Sequence, residues 1–217
     1  MSKRIFVTAT NTNIGKTYAS KLLIQAFSAL GLRVGVYKPI ETGVTDFPSD
    51  GKELFETASL YNPALQSLSL NDIVPLQFAL PSAPFVANGG RNIDLSTFDT
   101  PLEKIEALCD IVIIEGAGGL MVPIDGESMM IDLPRYFNAA TLLVTHCNLG
   151  CINDTLLSTK TLEDASIPFI IGFNCRAEDH SFETTSLPYL NHRFKSIYRI
   201  DNEIDTIAKA LLDTISS

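Results

Sequence analysis

Short apolar runs recur along the chain at Arg4–Thr10, Arg33–Tyr37, Ile111–Glu115, Thr141–Thr145, Phe169–Phe173 and Ser196–Arg199. Their length and their Val, Ile and Phe content predict strands. Between several of them the apolar residues return at helical spacing. Near Thr17–Leu30 this face is Leu22, Leu23, Ala26, Phe27 and Leu30, and similar patterns lie near Leu102–Leu108, Asn153–Asp164 and Asn202–Ile215. Strands that read apolar on both faces, alternating with helices, predict a parallel sheet covered on both sides. Such sheets bind ligands beyond the carboxyl ends of their strands. Thr10, Lys38, Glu115, His146 and Asn174 all stand at or just after such an end.

The longest interval without a predicted strand is Thr42 to Asn92, which holds Pro48, Pro63, Pro75, Pro81, Pro84 and the pair Gly89-Gly90. Its middle, Gly51–Leu60, predicts a helix capped by Ser49 or Asp50. A structureless loop of that length is unusual in a compact domain. The expectation is therefore one domain over residues 1–217, with an insertion of short helix and loops at about 42–92 lying over the carboxyl edge.

Composition narrows the classes. The 217 residues suffice for a substantial core without disulfides, and 46% of them are hydrophobic, with no run long enough for a membrane helix. The net charge of −9 argues against nucleic acid or an anionic membrane as a partner. Met1-Ser2-Lys3-Arg4 leads straight into the first strand, so no signal peptide is expected. Cys109, Cys147, Cys151 and Cys175 lack paired zinc spacing and read as buried free thiols of a reducing cytoplasm. A cytoplasmic domain is the expectation.

The stretch with the most chemistry is Thr8-Ala9-Thr10-Asn11-Thr12-Asn13-Ile14-Gly15-Lys16-Thr17, between the first strand and the first helix. A small-residue turn opening a helix on Gly-Lys-Thr is the pattern of a phosphate-binding loop. Backbone N–H groups at the helix start would face phosphates, Lys16 would add a mobile charge, and the Thr17 hydroxyl can ligate Mg²⁺. The usual pattern has Gly four residues before the Gly-Lys pair, where Thr10 stands here. Read alone, the stretch is also compatible with a plain strand–turn–helix corner.

Other strand ends add candidates. Pro39 biases Lys38 towards an extended conformation, aiming it at the same edge; the alternative is a solvated strand-end lysine. Glu41-Thr42-Gly43 reads as a polar turn or a substrate contact. Ile111 to Ile114 end in Glu115 and then Gly116-Ala117-Gly118-Gly119. A buried strand ending in a carboxylate is the usual Mg²⁺-holding companion of a phosphate loop, and the alternative is an exposed Glu in a flexible turn. Asp50 is either a third Mg²⁺ ligand or a helix cap. Leu149-Gly150-Cys151-Ile152-Asn153 could offer backbone donors to an anion, but a helix start capped by Asn153 is the default. His146 reads as a packed strand-end side chain. Asn174 reads as a nucleobase contact or a turn.

In combination these residues resemble dethiobiotin synthetase, the penultimate enzyme of biotin synthesis. The family loop Gly-Thr-Asp-Thr-x-x-Gly-Lys-Thr maps onto Ala9 to Thr17, with five residues between its glycines, which accounts for the irregular spacing. The resemblance continues through Tyr37-Lys38-Pro39, Ser49-Asp50, Phe78 to Pro84, Glu115 to Gly119, Pro123 and Leu149 to Asn153. Departures are Ala9 for Gly, Asn11 for Asp, Cys175 after Asn174, and no Gly-x-x-Pro segment within Lys195–Asp201.

The resemblance implies an α/β fold of the three-layer P-loop NTPase-like type, a mostly parallel central sheet with helices on both faces. It implies ATP as co-substrate, with Asn13, Ile14, Gly15, Lys16, Thr17, Tyr18, Asp50, Glu115, Gly116, Ala117, Gly118 and Asn174 at the nucleotide. It implies Mg²⁺ on Thr17, Asp50 and Glu115. Catalysis falls to Lys38, Lys16 and Thr12. The substrates it implies are 7,8-diaminononanoate and CO₂, held by Lys38, Thr42 and Gly119, while Leu149, Gly150, Cys151, Ile152 and Asn153 of a second subunit receive the substrate carboxylate. That last feature makes a homodimer the expected unit. Rival readings are a partitioning-type nucleotide switch, which typically carries an extra lysine where Asn11, Thr12 and Asn13 stand, a small-molecule kinase, and a nucleotide-binding domain without chemistry of its own.

Overall fold

A computed structural model describes residues 3–177 and 179–216. Six parallel strands form its main sheet in the order β2-β5-β1-β6-β7-β8: β1 (Lys3–Ala9), β2 (Val34–Tyr37), β5 (Ile111–Gly119), β6 (Ala140–His146), β7 (Phe169–Asn174) and β8 (Tyr198–Arg199). Burial is continuous rather than alternating where the sheet is deepest. Ile5 to Ala9 and Ile111 to Gly116 are buried at every position, as strands covered on both faces must be. Runs of consecutive apolar residues mark the strands here because successive positions are buried.

The longer helices are α1 (Lys16–Ala29), α2 (Ser49–Tyr61), α5 (Asp99–Glu106), α7 (Cys151–Asp164) and α10 (Ile200–Ser216), the last kinked at Glu203. Helix α1 packs between α2 and α10 and buries Leu23, Ile24 and Phe27. Short helices α3 (Leu70–Ile73), α4 (Pro84–Ala87), α6 (Asp132–Tyr136), α8 (Phe182–Thr185) and α9 (Leu187–Arg193) turn the connections. Among the described residues, no helix is long and apolar enough to cross a membrane.

Several expectations are corrected. The interval 42–92 does contain a strand: β4 (Leu76–Phe78) pairs in parallel with β3 (Ile40–Thr42) as a separate two-stranded sheet. Three-residue strands carry too few alternations to register as a pattern. Strand β5 runs four residues past Glu115, because Gly119 still pairs with Ala9 across an irregularity. Neither Ser49 nor Asp50 caps α2; the cap position is Pro48, without a side-chain bond. Nor does Asn153 cap α7, which begins at Cys151 after a left-handed Gly150. Of the four cysteines expected as free thiols, Cys109 and Cys151 are buried and outside any disulfide, whereas Cys147 and Cys175 form one. They sit just past the paired residues His146 and Asn174 of neighbouring strands, a proximity that only the pairing of β6 with β7 creates.

Gly35 on β2 tests the tightness of this packing. A Cβ there would lie 2.7 Å from Ile105 Cγ2 and 2.8 Å from Cys109 Sγ. Overpacking of a close-packed core costs about 1–3 kcal/mol. Gly35→Ala should lower the unfolding free energy by that much, read as a lower urea midpoint at unchanged slope; an unchanged midpoint would show that α5 yields freely.

Candidate functional site

The carboxyl ends of β1, β2 and β5 meet around one carboxylate. Glu115 lies opposite Val7 of β1, has no exposed surface, and uses both oxygens. Its Oε1 accepts from Lys38 Nζ at 2.7 Å and from the Thr17 hydroxyl at 3.0 Å, and its Oε2 accepts from the Ser20 hydroxyl at 2.8 Å. A charge this deep needs such partners, because stripping one away typically costs about 3–5 kcal/mol.

Lys38 follows β2 directly, and its backbone N–H donates to the Ile73 carbonyl at 2.9 Å. Its ammonium lies between two acids, 2.7 Å from Glu115 and 3.4 Å from Asp50 Oδ2. Burial alone would push this lysine towards neutrality, but Glu115 and Asp50 more than reverse that, and its pKa is raised. Lys16 differs. Burial and the nearby Lys38 charge lower its pKa to about 8, against the opposing pull of Glu115 and Asp50. One buried lysine is thus held charged while its neighbour is eased towards losing its proton.

The loop between β1 and α1 turns through left-handed residues, Asn13 at φ 60° and Gly15 at φ 103°. Gly15 is required twice over. Its φ favours glycine, and a Cβ would stand 2.2 Å from Asn174 Nδ2, which donates to the Ile14 carbonyl at 2.7 Å. Arg176 adds a bond to the Asn13 carbonyl at 3.1 Å. No side chain caps the first turn of α1, so its leading N–H groups remain open to an anion.

These elements enclose a cavity of about 580 Å³. Thr12, Asn13, Gly15, Lys16 and Thr17 form one wall, Lys38, Glu41, Thr42 and Asp50 another, Pro81 to Pro84 a third, and Gly116, Ala117 and Gly118 with Val122 a fourth. Glu115 lies beneath it, joined to Lys38 and Thr17.

Five stretches separated in sequence therefore converge on one cavity, and other candidates fall elsewhere. Ile14 packs against the core while Asn174 holds its carbonyl. The Tyr18 hydroxyl donates to Asp201 at 2.7 Å on the exposed side of α1. Gly119 lies against the Ala9 and Thr10 carbonyls rather than lining the cavity. Leu149 to Asn153 do not line it either: Leu149 is 92% exposed, Cys151 is buried, and Asn153 donates to Asp154. His146 Nε2 is bonded to Asp154 at 3.0 Å.

Ser20 was not anticipated as a site residue, and Glu41 was read only as part of a polar turn or a substrate contact. A polar residue three positions after Thr17 and three before the buried Leu23 is the signal that could have found Ser20. Glu41 is buried on β3 and accepts from the backbone N–H groups of Asp50 at 3.1 Å and Gly51 at 2.9 Å. Burial raises its pKa, opposed by the Gly51 amide, Lys38 and the Asp50 amide.

Thr17, Asp50 and Glu115 offer oxygen donors only, the kind Mg²⁺ takes. Among the described residues, no group of three or more His, Cys, Asp or Glu forms a self-contained metal cage. An ion held here would complete its shell with ligand and water oxygens, which suits Mg²⁺ with phosphates.

A family model described as an AAA domain matches residues 3–201. The ATP-dependent dethiobiotin synthetase BioD of Sulfurovum sp. (strain NBC37-1) is 39% identical over 207 residues, covering 95% of this chain and 99% of that protein. The proteins of the same name from Helicobacter pylori (strain Shi470) and Wolinella succinogenes are 38% and 34% identical, covering 86% and 98% of this chain and 87% and 100% of their own. Among solved structures, a plasmid partition protein from Borrelia burgdorferi superposes with TM-score 0.62 at 11% identity, covering 98% of this chain and 99% of its own. The MinC:MinD cell division protein complex of Aquifex aeolicus gives 0.55 at 13%, covering 99% and 95%. At such identities these likenesses establish the P-loop fold alone.

The lowered Lys16 pKa has a measurable sign. Between about pH 8 and 10.5 the unfolded chain holds a proton on Lys16 that the folded chain has released. The free energy of unfolding therefore gains from this lysine as pH rises through that window, and below it the folded state bears the full cost of the buried ammonium. Urea unfolding of the ligand-free protein across the window should show that gain, and Lys16→Met should remove it. Parallel pH profiles for the two would refute the assignment.

Proposed function

The chain belongs to the dethiobiotin synthetase family, and from that premise we propose that it is an ATP-dependent dethiobiotin synthetase. It would close a cyclic urea from 7,8-diaminononanoate, CO₂ and ATP, releasing ADP and phosphate. The observation that carries this reading is the meeting of Lys16, Lys38, Thr17 and Asp50 in one cavity over Glu115.

The chemistry has three needs. One substrate amine must be neutral to capture CO₂ as a carbamate, although a free alkylamine near pKa ~10.4 is largely protonated at neutral pH. The Lys38 ammonium disfavours a second cation beside it and favours the carbamate anion. A carbamate oxygen then attacks the γ-phosphorus as the bond to the bridging oxygen of ADP breaks, giving a carbamic–phosphoric anhydride. Phosphoryl transfer asks chiefly for positioning and charge neutralisation, assigned here to Lys16, Lys38, Thr12 and the loop amides. The second amine finally attacks the carbamate carbon, loses a proton and expels phosphate. Mg²⁺ bound through Thr17, Asp50 and Glu115 would supply further charge neutralisation at the phosphates.

Thr42 and the glycines after Glu115 are assigned to the diamine, and Asn174 to the base end of the nucleotide. Leu149 to Asn153 are assigned to the substrate carboxylate of a second subunit, which makes the working unit a homodimer. Their absence from the lining of this chain's own cavity and the exposure of Leu149 are consistent with that assignment. The plasmid-partition likeness rests on fold, and the loop carries Asn11, Thr12 and Asn13 where a partitioning switch would carry its extra lysine.

The test is a turnover assay with diamine, ATP and isotopically labelled bicarbonate. Label should enter the product ring with one phosphate released per ring. Phosphate retained on the acceptor would instead indicate a kinase. Lys38→Ala and the better-filling Lys38→Met should each lower kcat by roughly 10²–10³-fold, as loss of one charge-stabilising donor does. Near-normal turnover in either would remove Lys38 from the reaction.

A further inference from the structure

Helix α2 is a 13-residue helix that begins without its own cap. Pro48 occupies the cap position, and no side chain there accepts a bond from the first turn. Two of the amides that a capping side chain would satisfy, those of Asp50 and Gly51, are taken by Glu41, nine and ten residues earlier and on another element. The Ser49 hydroxyl leans on the same carboxylate at 3.5 Å. A carboxylate at a helix N-terminus also faces the positive end of the helix dipole.

The attachment is tight on its far side too. A Cβ at Gly51 would stand 2.0 Å from Val74 Cγ2 and 3.3 Å from Glu41 Oε2. Glycine lets the first turn come down onto Glu41, with Val74 closing the other side. Asp50 is therefore held by its own backbone while its side chain reaches Lys38 at 3.4 Å. Glu41 itself is buried, and its bonds hold the turn that presents Asp50.

We infer that Glu41 is a positioning residue: its carboxylate caps α2 from β3 and thereby fixes where the Asp50 carboxylate stands in the cavity. The inference rests on the reading above in taking Asp50 as a ligand of the nucleotide-bound divalent cation. Glu41 acts through Asp50, so its removal should cost nothing further once Asp50 is gone.

That logic defines a double-mutant cycle on full-length protein. Mn²⁺ serves as the paramagnetic probe, titrated in the presence of a non-hydrolysable ATP analogue. Glu41→Ala and Asp50→Ala should each weaken Mn²⁺ binding roughly tenfold, and the double variant should bind about as weakly as Asp50→Ala alone. Glu41→Gln, which keeps the volume and one acceptor oxygen, should fall between wild type and Glu41→Ala. It should also speed hydrogen exchange at the Asp50 and Gly51 amides, so the inference stays testable if Glu41→Ala does not fold. Mn²⁺ affinity within twofold of wild type in Glu41→Ala, losses that multiply in the double variant, unchanged exchange in Glu41→Gln, or an Asp50→Ala protein with normal affinity would each overturn the inference. A wild type that makes no dethiobiotin but obeys the cycle would sink the proposed reaction and leave the positioning role standing. A wild type that makes dethiobiotin but shows additive losses would do the reverse.

Discussion

The structure depends on the burial of one carboxylate. Glu115 sits where β1, β2 and β5 converge, and a bare anion there would destabilise the whole sheet. Lys38, Thr17 and Ser20 are the solution, and each fixes an element. Lys38 sets the end of β2, while Thr17 and Ser20 set the rotation of α1 about its axis. The same bonds that make Glu115 tolerable thus orient the phosphate loop over it. Stability and site geometry are one arrangement.

The charges around it are unequal by design of the fold. Lys16 and Lys38 face Glu41, Asp50 and Glu115, so the ligand-free cluster carries slightly more negative than positive charge. Lys38 is committed to its acids, whereas Lys16 is the loosely held cation, with a pKa near 8. An arriving polyphosphate would meet a lysine whose positive charge it can itself secure. Burial therefore makes Lys16 responsive to its ligand and keeps Lys38 independent of it.

Much of this was legible in the sequence, and what was not has a physical reason. Strands with both faces buried announce themselves as apolar runs, so the main sheet could be read directly. So could the loop, because Gly15 and Lys16 carry their chemistry in adjacent residues. Three features could not. The β3–β4 pair is too short to show a period. The disulfide needs Cys147 and Cys175 to be neighbours across β6 and β7. Glu41 looks like any turn-side acid until α2 folds back onto it. Asn174 was legible as important at its strand end, yet its observed partner is the Ile14 carbonyl, a bond no linear pattern contains.

Strand order carries a consequence for how the chain reaches this state. The first strand pairs with β5 and β6, so Lys3 to Ala9 find their partners only at Ile111 to Gly119 and Ala140 to Val144. During synthesis, Ile5, Phe6 and Val7 emerge early and have no sheet to join until most of the molecule has followed. Long-range parallel pairing of this kind is slow, because loop closure is met before any contact rewards it. The N-terminal apolar segment is thus the stretch that a nascent chain must shield longest, and the place where a folding chaperone has most to gain by waiting.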